Sequence, residues 1–346
     1  MEVEKPAQEH LDGPVCVARF AYFVRRLCQS HWRSQTLLLG ALLVGCSGDN
    51  ADPAGDAGQG SSGSTSTFIS DAGSDAEADA APAPTVEKPR EKICPPEMVR
   101  VAHRYCIDRF EATLHDSGTG ETISPYYAPS KKLALLAERT WEKERLNVGD
   151  PDDQQMVLPI LPAWEKQRDF EPRAVSKKGS LPNGYTTGKL AETACRNAGK
   201  RLCTLEEWRT ACRGEDDRPF PYGDKYEQGK CNIFREGHPA MELHNDASRG
   251  HSDPRLNQVK INGKPLLRRT GETATCASRW EGDAVYDMVG NLDEWIDDPE
   301  GTFVGGFFSR SKKDGCASII TAHPFDYFDY STGVRCCAEL RPAPVP

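Results

Sequence analysis

Apolar positions along this chain fall in short runs cut by Gly, Pro and polar clusters, and few of the runs keep a helical period. Residues 189–198 (KLAETACRNA) do: Leu190, Ala194, Cys195 and Ala198 recur at helical spacing, and Gly199 marks the stop. Thr204-Leu205-Glu206-Glu207 has the form of a capping box, in which the Thr204 hydroxyl accepts from the Glu207 amide and Glu207 reaches back. The helix it opens places Leu205, Trp208, Ala211 and Cys212 on one face, with Gly214 as its stop. Leu133–Ala137 predicts a third, short helix. The remainder reads as short strands and long loops, without an internal repeat. The expected class is therefore α+β, and loops of this length call for cross-links.

The amino-terminal pattern is different. Residues 36–45 (TLLLGALLVG) follow Arg25, Arg26 and Arg33 and end at Cys46. This run is too short to span a bilayer and has the layout of a signal-peptide core. Leu43-Val44-Gly45-Cys46 resembles the lipobox of bacterial lipoproteins. The resemblance implies that residues 1–46 form a signal peptide, that Cys46 is acylated, and that Cys16 and Cys28 leave with the signal. Ser47 stands where Asp would argue for retention in the inner membrane, so the same analogy points to the outer membrane of the bacterial envelope. Acyl chains anchor by burying methylenes at about 0.8 kcal/mol each. Residues 47–92 are mostly Ala, Gly, Ser, Asp and Pro, and too poor in apolar side chains to offset the entropy of ordering. They read as a flexible acidic spacer. The folded domain is expected over 93–342.

Charge and composition narrow the function. The 346 residues carry 43 Lys+Arg against 52 Asp+Glu, a formal charge of -9. Residues 1–46 contribute +1 and residues 47–92 contribute -6, which leaves -4 on 93–346. An acidic domain argues against nucleic acid as a partner. A mean hydropathy of -0.61 excludes a multi-span membrane protein. Thirteen Cys suit an oxidising compartment.

Six blocks, in order, resemble the sulfatase-modifying factor (formylglycine-generating enzyme) family. They are Ile107–Thr113 (IDRFEAT), Ala194–Trp208 (ACRNAGKRLCTLEEW), Arg213-Gly214 with Pro219–Gly223, Tyr286–Trp295 (YDMVGNLDEW), Gly305-Gly306, and Gly333–Cys336 (GVRC). They span most of 95–340, and the resemblance implies the C-type-lectin-like α+β fold. It also implies two disulfides, Cys195–Cys336 and Cys212–Cys316. Of the other six, Cys94 and Cys106 flank one turn, Cys231 and Cys276 bracket the loop 232–275, and Cys203 and Cys337 are left for each other. Spacing alone does not fix that connectivity.

Oxidase members of the family bind copper through two Cys shortly after the double glycine. Here Phe307–Gly315 contains none. A soft Cu(I) ion needs thiolates, so copper is not expected. The iron-dependent branch needs a His cluster on a separate helical domain, which this chain lacks. His238, His244 and His251, with Asp246 and Asp253, share one loop of a composition that can hold a divalent metal, or they are ordinary polar loop residues. His103, His115 and His323 are scattered. The resemblance also implies a calcium site in the 286–295 turn, from the side chains of Asp287 and Glu294 and the carbonyls of Gly290 and Leu292, and a second beginning at Asn232-Ile233. Trp208, Trp280, Trp295, Phe307 and Phe308 are candidates for a groove or for core, and Phe325–Tyr330 for a rim. No catalytic residue is assigned. The expectation is a lipid-anchored envelope protein whose domain binds a peptide, glycan or protein. The alternatives are a copper or non-haem iron oxidase with atypical ligands, and a purely structural surface protein.

Overall fold

The computed structural model describes residues 92–310 and 313–343. The expected signal peptide, Cys46 and all but the last residue of the spacer lie outside that range. The domain is built from short strands joined by long loops. Met98–Val101 (β1) and Tyr105–Asp108 (β2) form an antiparallel hairpin; Ala112–Asp116 (β3) pairs with Pro172–Ser176 (β4) across a long insertion. Arg201–Leu202 (β5) precedes the hairpin of Ala277–Trp280 (β6) with Asp283–Tyr286 (β7). Asp293–Trp295 (β8), Phe303–Val304 (β9), Ile319–Ile320 (β10), Thr332–Gly333 (β11) and Cys336–Glu339 (β12) complete the main strands. Two four-stranded sheets result, ordered β1-β2-β12-β5 and β10-β9-β8-β11. The first is antiparallel throughout; in the second only β8 and β11 run parallel.

Four helices matter for the site: Lys131–Glu144 (α1), Gly188–Asn197 (α2), Leu205–Arg213 (α3) and Pro239–His244 (α4). No described helix is long and apolar enough to cross a membrane. α3 starts as its capping box requires: the Glu207 amide donates to Thr204 Oγ1 (3.2 Å) and the Thr204 amide to Glu207 Oε2 (2.9 Å). Trp208, Ala211 and Cys212 are buried, and Leu205 is partly so. α2 differs in detail from its sequence pattern. Its buried face is Gly188, Ala191, Ala194 and Cys195, while Leu190 and Ala198 are half-buried. The stripe is rotated because the Phe325 ring lies against Gly188, where a Cβ would come within 2.1 Å of it. α1 is a larger departure, with fourteen residues where a short helix over 133–137 was expected. Its only fully buried residue is Ala134, so its second half carries no apolar stripe to reveal it.

All ten cysteines of the described residues are bridged: Cys94–Cys106, Cys195–Cys336, Cys203–Cys337, Cys212–Cys316 and Cys231–Cys276. Adjacent Cys336 and Cys337 point to opposite faces of β12, as strand geometry dictates. One therefore reaches α2, and the other the segment between β5 and α3. Cys212 ties α3 to the 315–317 turn. The bridges do here what long regular elements do elsewhere, and such a domain is consistent with an exported protein.

Candidate functional site

The 286–295 turn lies at the centre of the fold. The Gly290 amide donates to the Gly305 carbonyl (3.1 Å) and the Asn291 amide to the Asn232 carbonyl (2.8 Å). Gly290 has φ +85°, and a Cβ there would lie 2.3 Å from the Asn232 carbonyl oxygen, so the close approach requires glycine. The two segments expected to bind separate calcium ions are thus packed on each other. Asn291 is their hub. Its Oδ1 accepts from Asn232 Nδ2 (2.9 Å) and from the Arg268 amide (2.9 Å), and its Nδ2 donates to Glu111 Oε2.

Behind this hub sits a buried charge cluster. Arg335 is fully buried; its Nε donates to both oxygens of Glu294 (2.9 Å each), and its other nitrogens reach the Asp108 and Tyr286 carbonyls (2.8 Å each). Trp208 Nε1 also donates to Glu294 Oε2 (2.6 Å). Asp287 Oδ2 accepts from the Gly271 amide (2.6 Å), and Glu111 Oε1 from the Leu292 amide (3.0 Å). Burial, followed by the neighbouring Asp287 and Glu294 charges, raises the Glu111 carboxyl well above its ordinary range. Burial also pushes Asp287 up to about 6. Three carboxyls are thus crowded around one guanidinium, which hydrogen-bonds only Glu294, and the protonated forms of Glu111 and Asp287 are favoured relative to free carboxyls.

The expected calcium ligands do not fit that ion as they stand. Glu294 has both oxygens committed to Arg335 and Trp208, Asn232 has its carbonyl taken by Asn291, and Asn232 Oδ1 accepts from Arg235 (3.1 Å). Gly290, Leu292 and Ile233 line the same knot as backbone and packing residues. Among the described residues no group of three or more His, Cys, Asp or Glu side chains is arranged to hold a metal.

The histidine loop is likewise dispersed. His238 caps α4, with Nδ1 accepting from the Ala240 amide (3.3 Å) and Nε2 lying 2.9 Å from the Tyr330 hydroxyl. With Nδ1 accepting, the neutral ring carries its proton on Nε2 and donates to Tyr330. Burial lowers the His238 pKa, which favours that neutral form. His251 Nε2 donates to the Ala247 carbonyl (2.7 Å), and His244 faces Asp253. His103 pairs with Glu281 (3.1 Å).

Past the double glycine, Phe307 packs edge-on to Tyr330 and His238. Arg310 lies over the Phe307 ring (5.0 Å) and forms an ion pair with fully buried Asp293. Burial pushes the Asp293 carboxyl up to about 7. Asp293 Oδ1, Arg310 Nε and Ser309 Oγ are buried without a hydrogen-bond partner. No thiol stands in this place, because nearby Cys316 is bridged to Cys212. Trp208, Trp280, Trp295, Phe307 and Phe308 are all buried, and of the five only Trp280 also borders a surface concavity, beside α3. The indole N–H of Trp295 donates to the Thr186 carbonyl (2.6 Å), and that of Trp280 to the Ala211 carbonyl (3.0 Å). A cavity of about 740 Å³ has Met156, Leu181, Leu243 and Leu267 in its wall and Glu242 and Arg269 at its polar side. Sequence reasoning named neither this cavity nor Glu111, Asn291 and Arg335. The acid in IDRFEAT and the arginine in GVRC were the available signals.

Comparison with known proteins agrees with this architecture. The family described as the sulfatase-modifying factor enzyme 1-like domain matches residues 67–320. The inactive C-alpha-formylglycine-generating enzyme 2 of Bos taurus is 27% identical over 139 residues, covering 40% of this chain and 40% of its own. The formylglycine-generating enzyme of Bos taurus is 26% identical over 191 residues, covering 54% and 46%. The chain thus spans less than half the length of either relative. Among solved structures, the Major Tropism Determinant I1 variant superposes with a TM-score of 0.37 at 9% identity, over 75% of this chain and 56% of that one, too little to bear on function. With most of its length matched, the disulfide-crosslinked, C-type-lectin-like α+β chain belongs to the sulfatase-modifying factor enzyme 1-like family.

Proposed function

We propose that this chain is an exported envelope protein, anchored by lipid at Cys46, whose sulfatase-modifying-factor domain binds a peptide, glycan or protein and lacks the copper-oxidase chemistry of the family. One observation carries the reading: every cysteine of the described residues is in a disulfide, and the stretch after the double glycine presents Arg310 and Phe307 instead of thiolates. Copper of the soft, monovalent kind has no thiolate to bind there. Similarity to a relative named as inactive supports the same reading. The cavity of about 740 Å³, lined by apolar and charged side chains together, has the size of a ligand site.

Metal analysis and oxygen uptake of the purified protein test this, together with peptide and glycan arrays. The expected outcome is no stoichiometric copper or iron, no oxygen uptake, and selective array binding that Leu243→Glu in the cavity wall abolishes. Stoichiometric copper or iron with oxygen uptake would instead establish a metal-dependent oxidase.

A further inference from the structure

A second cavity, of about 380 Å³, opens between α1 and the loop that follows α4. Its size lies at the lower end for small-molecule sites. The charged residues around it are Lys143, Arg145, Arg249 and Arg255, against Glu144 and Asp253. The surplus is positive in a domain that is negative overall. Asp253 is already compensated: Arg255 clamps it through Nε (3.1 Å to each oxygen) and Nη2 (2.7 Å). Arg255 is itself fully buried and fixed by the carbonyls of Asp153 and Met156.

Trp141 gathers the cations. The guanidinium carbon of Arg145 lies 5.3 Å from its ring centroid, and that of Arg255 lies 6.0 Å away. Arg145 spends one hydrogen bond on the Gln154 carbonyl (3.3 Å). Arg249, 68% exposed, touches Asp246 at the rim (3.2 Å). Two side chains that line the cavity carry buried polar atoms without a hydrogen-bond partner: the indole N–H of half-buried Trp141, and the ring Nδ1 of His244, whose side chain is only 2% exposed. His244 Nε2 faces Asp253 Oδ2 at 3.2 Å, so its N–H is directed at that carboxylate and the Trp141 N–H is the donor left over. An orphaned buried donor costs about 1–3 kcal/mol, so its retention beside a cationic cavity calls for an acceptor supplied from outside.

From this geometry we infer a binding site for a small oxyanion, a carboxylate or phosphate group, held by Arg145 and Arg249 at the mouth and by the Trp141 N–H within. The site is separate from the 740 Å³ cavity and does not depend on the function proposed above.

Isothermal titration of the intact protein with inorganic phosphate and with citrate tests it. At least one anion binds with a Kd below about 10 mM at low salt. Phosphate alone assigns a phosphate-bearing ligand, and citrate alone a carboxylate; either outcome supports the site. Arg249→Ala, at an exposed position that leaves the fold intact, weakens that binding at least about fivefold, as expected for a lost charged hydrogen bond. Trp141→Phe keeps the ring and removes the donor, and weakens it as well. No heat with either anion, or binding unchanged in both variants, would overturn the assignment.

Discussion

Arg335 concentrates the electrostatic risk of this fold in one side chain. Among the described residues it is the only cation paired with buried Glu294, and its remaining donors satisfy two backbone carbonyls. Removing one member of a buried pair strands the other, at a cost of about 3–5 kcal/mol. Arg335→Met is therefore expected to lower the urea midpoint by an amount equivalent to that range, or to prevent folding; a midpoint within error of wild type would refute the assignment. Glu165 presents the opposite case, a buried carboxyl without a cation. Oε1 accepts from the Ser124 amide (2.8 Å), Oε2 has no partner, and burial pushes its pKa up to about 7. A raised folded-state pKa means that the folded protein holds the proton more tightly than the unfolded chain does. The associated stability is fully present below pH 4.5 and is lost as pH rises through about 7. Glu165→Gln is expected to raise Tm at pH 8 by about 2–4 °C and to change little at pH 4. A gain at pH 4 that disappears at pH 8 would reverse the sign and contradict the account. Neither residue's role was legible in the sequence. Glu111 and the Leu292 amide it binds lie 181 positions apart, and which acid meets which partner is decided by tertiary packing.

At the scale of elements, legibility followed the strength of the local signal. The capping box and apolar face of α3 gave its start and its buried side, because cap and stripe are local chemistry. The rotation of α2 came from Phe325, well over a hundred residues away. α1 extended past its apolar start into a polar stretch, where Trp141, packed with Arg145 and Arg255, supplies the tertiary contact that the pattern lacks. The 286–295 turn was read in the sequence as a calcium site, and its carboxylates are engaged by a guanidinium and by N–H donors. Calcium should thus add little: Tm measured with millimolar calcium and with a chelator is expected to agree within about 1 °C. A rise of about 5 °C or more with calcium, the linkage signature of a bound ion, would mean that the turn rearranges to take the metal.

For the whole molecule, the disulfide framework replaces extensive regular structure. Three bridges close sequence separations of 104, 134 and 141 residues. Each restricts the unfolded chain by an amount worth about 4–5 kcal/mol in the loop-closure picture. The family resemblance implied two of these pairs, and counting the remaining cysteines suggested the others without fixing them. The strand order and the two cavities were not legible, because they depend on how the long loops lie across one another. The central claim is that sulfur in this domain is structural throughout and leaves no thiolate beside the double glycine. Its most direct test is alkylation of the denatured but unreduced protein, followed by peptide mass spectrometry. The account predicts that none of the ten cysteines from Cys94 to Cys337 is labelled. Labelling of two of them, above all Cys212 and Cys316 near the double-glycine loop, would contradict it and restore the case for an oxidase.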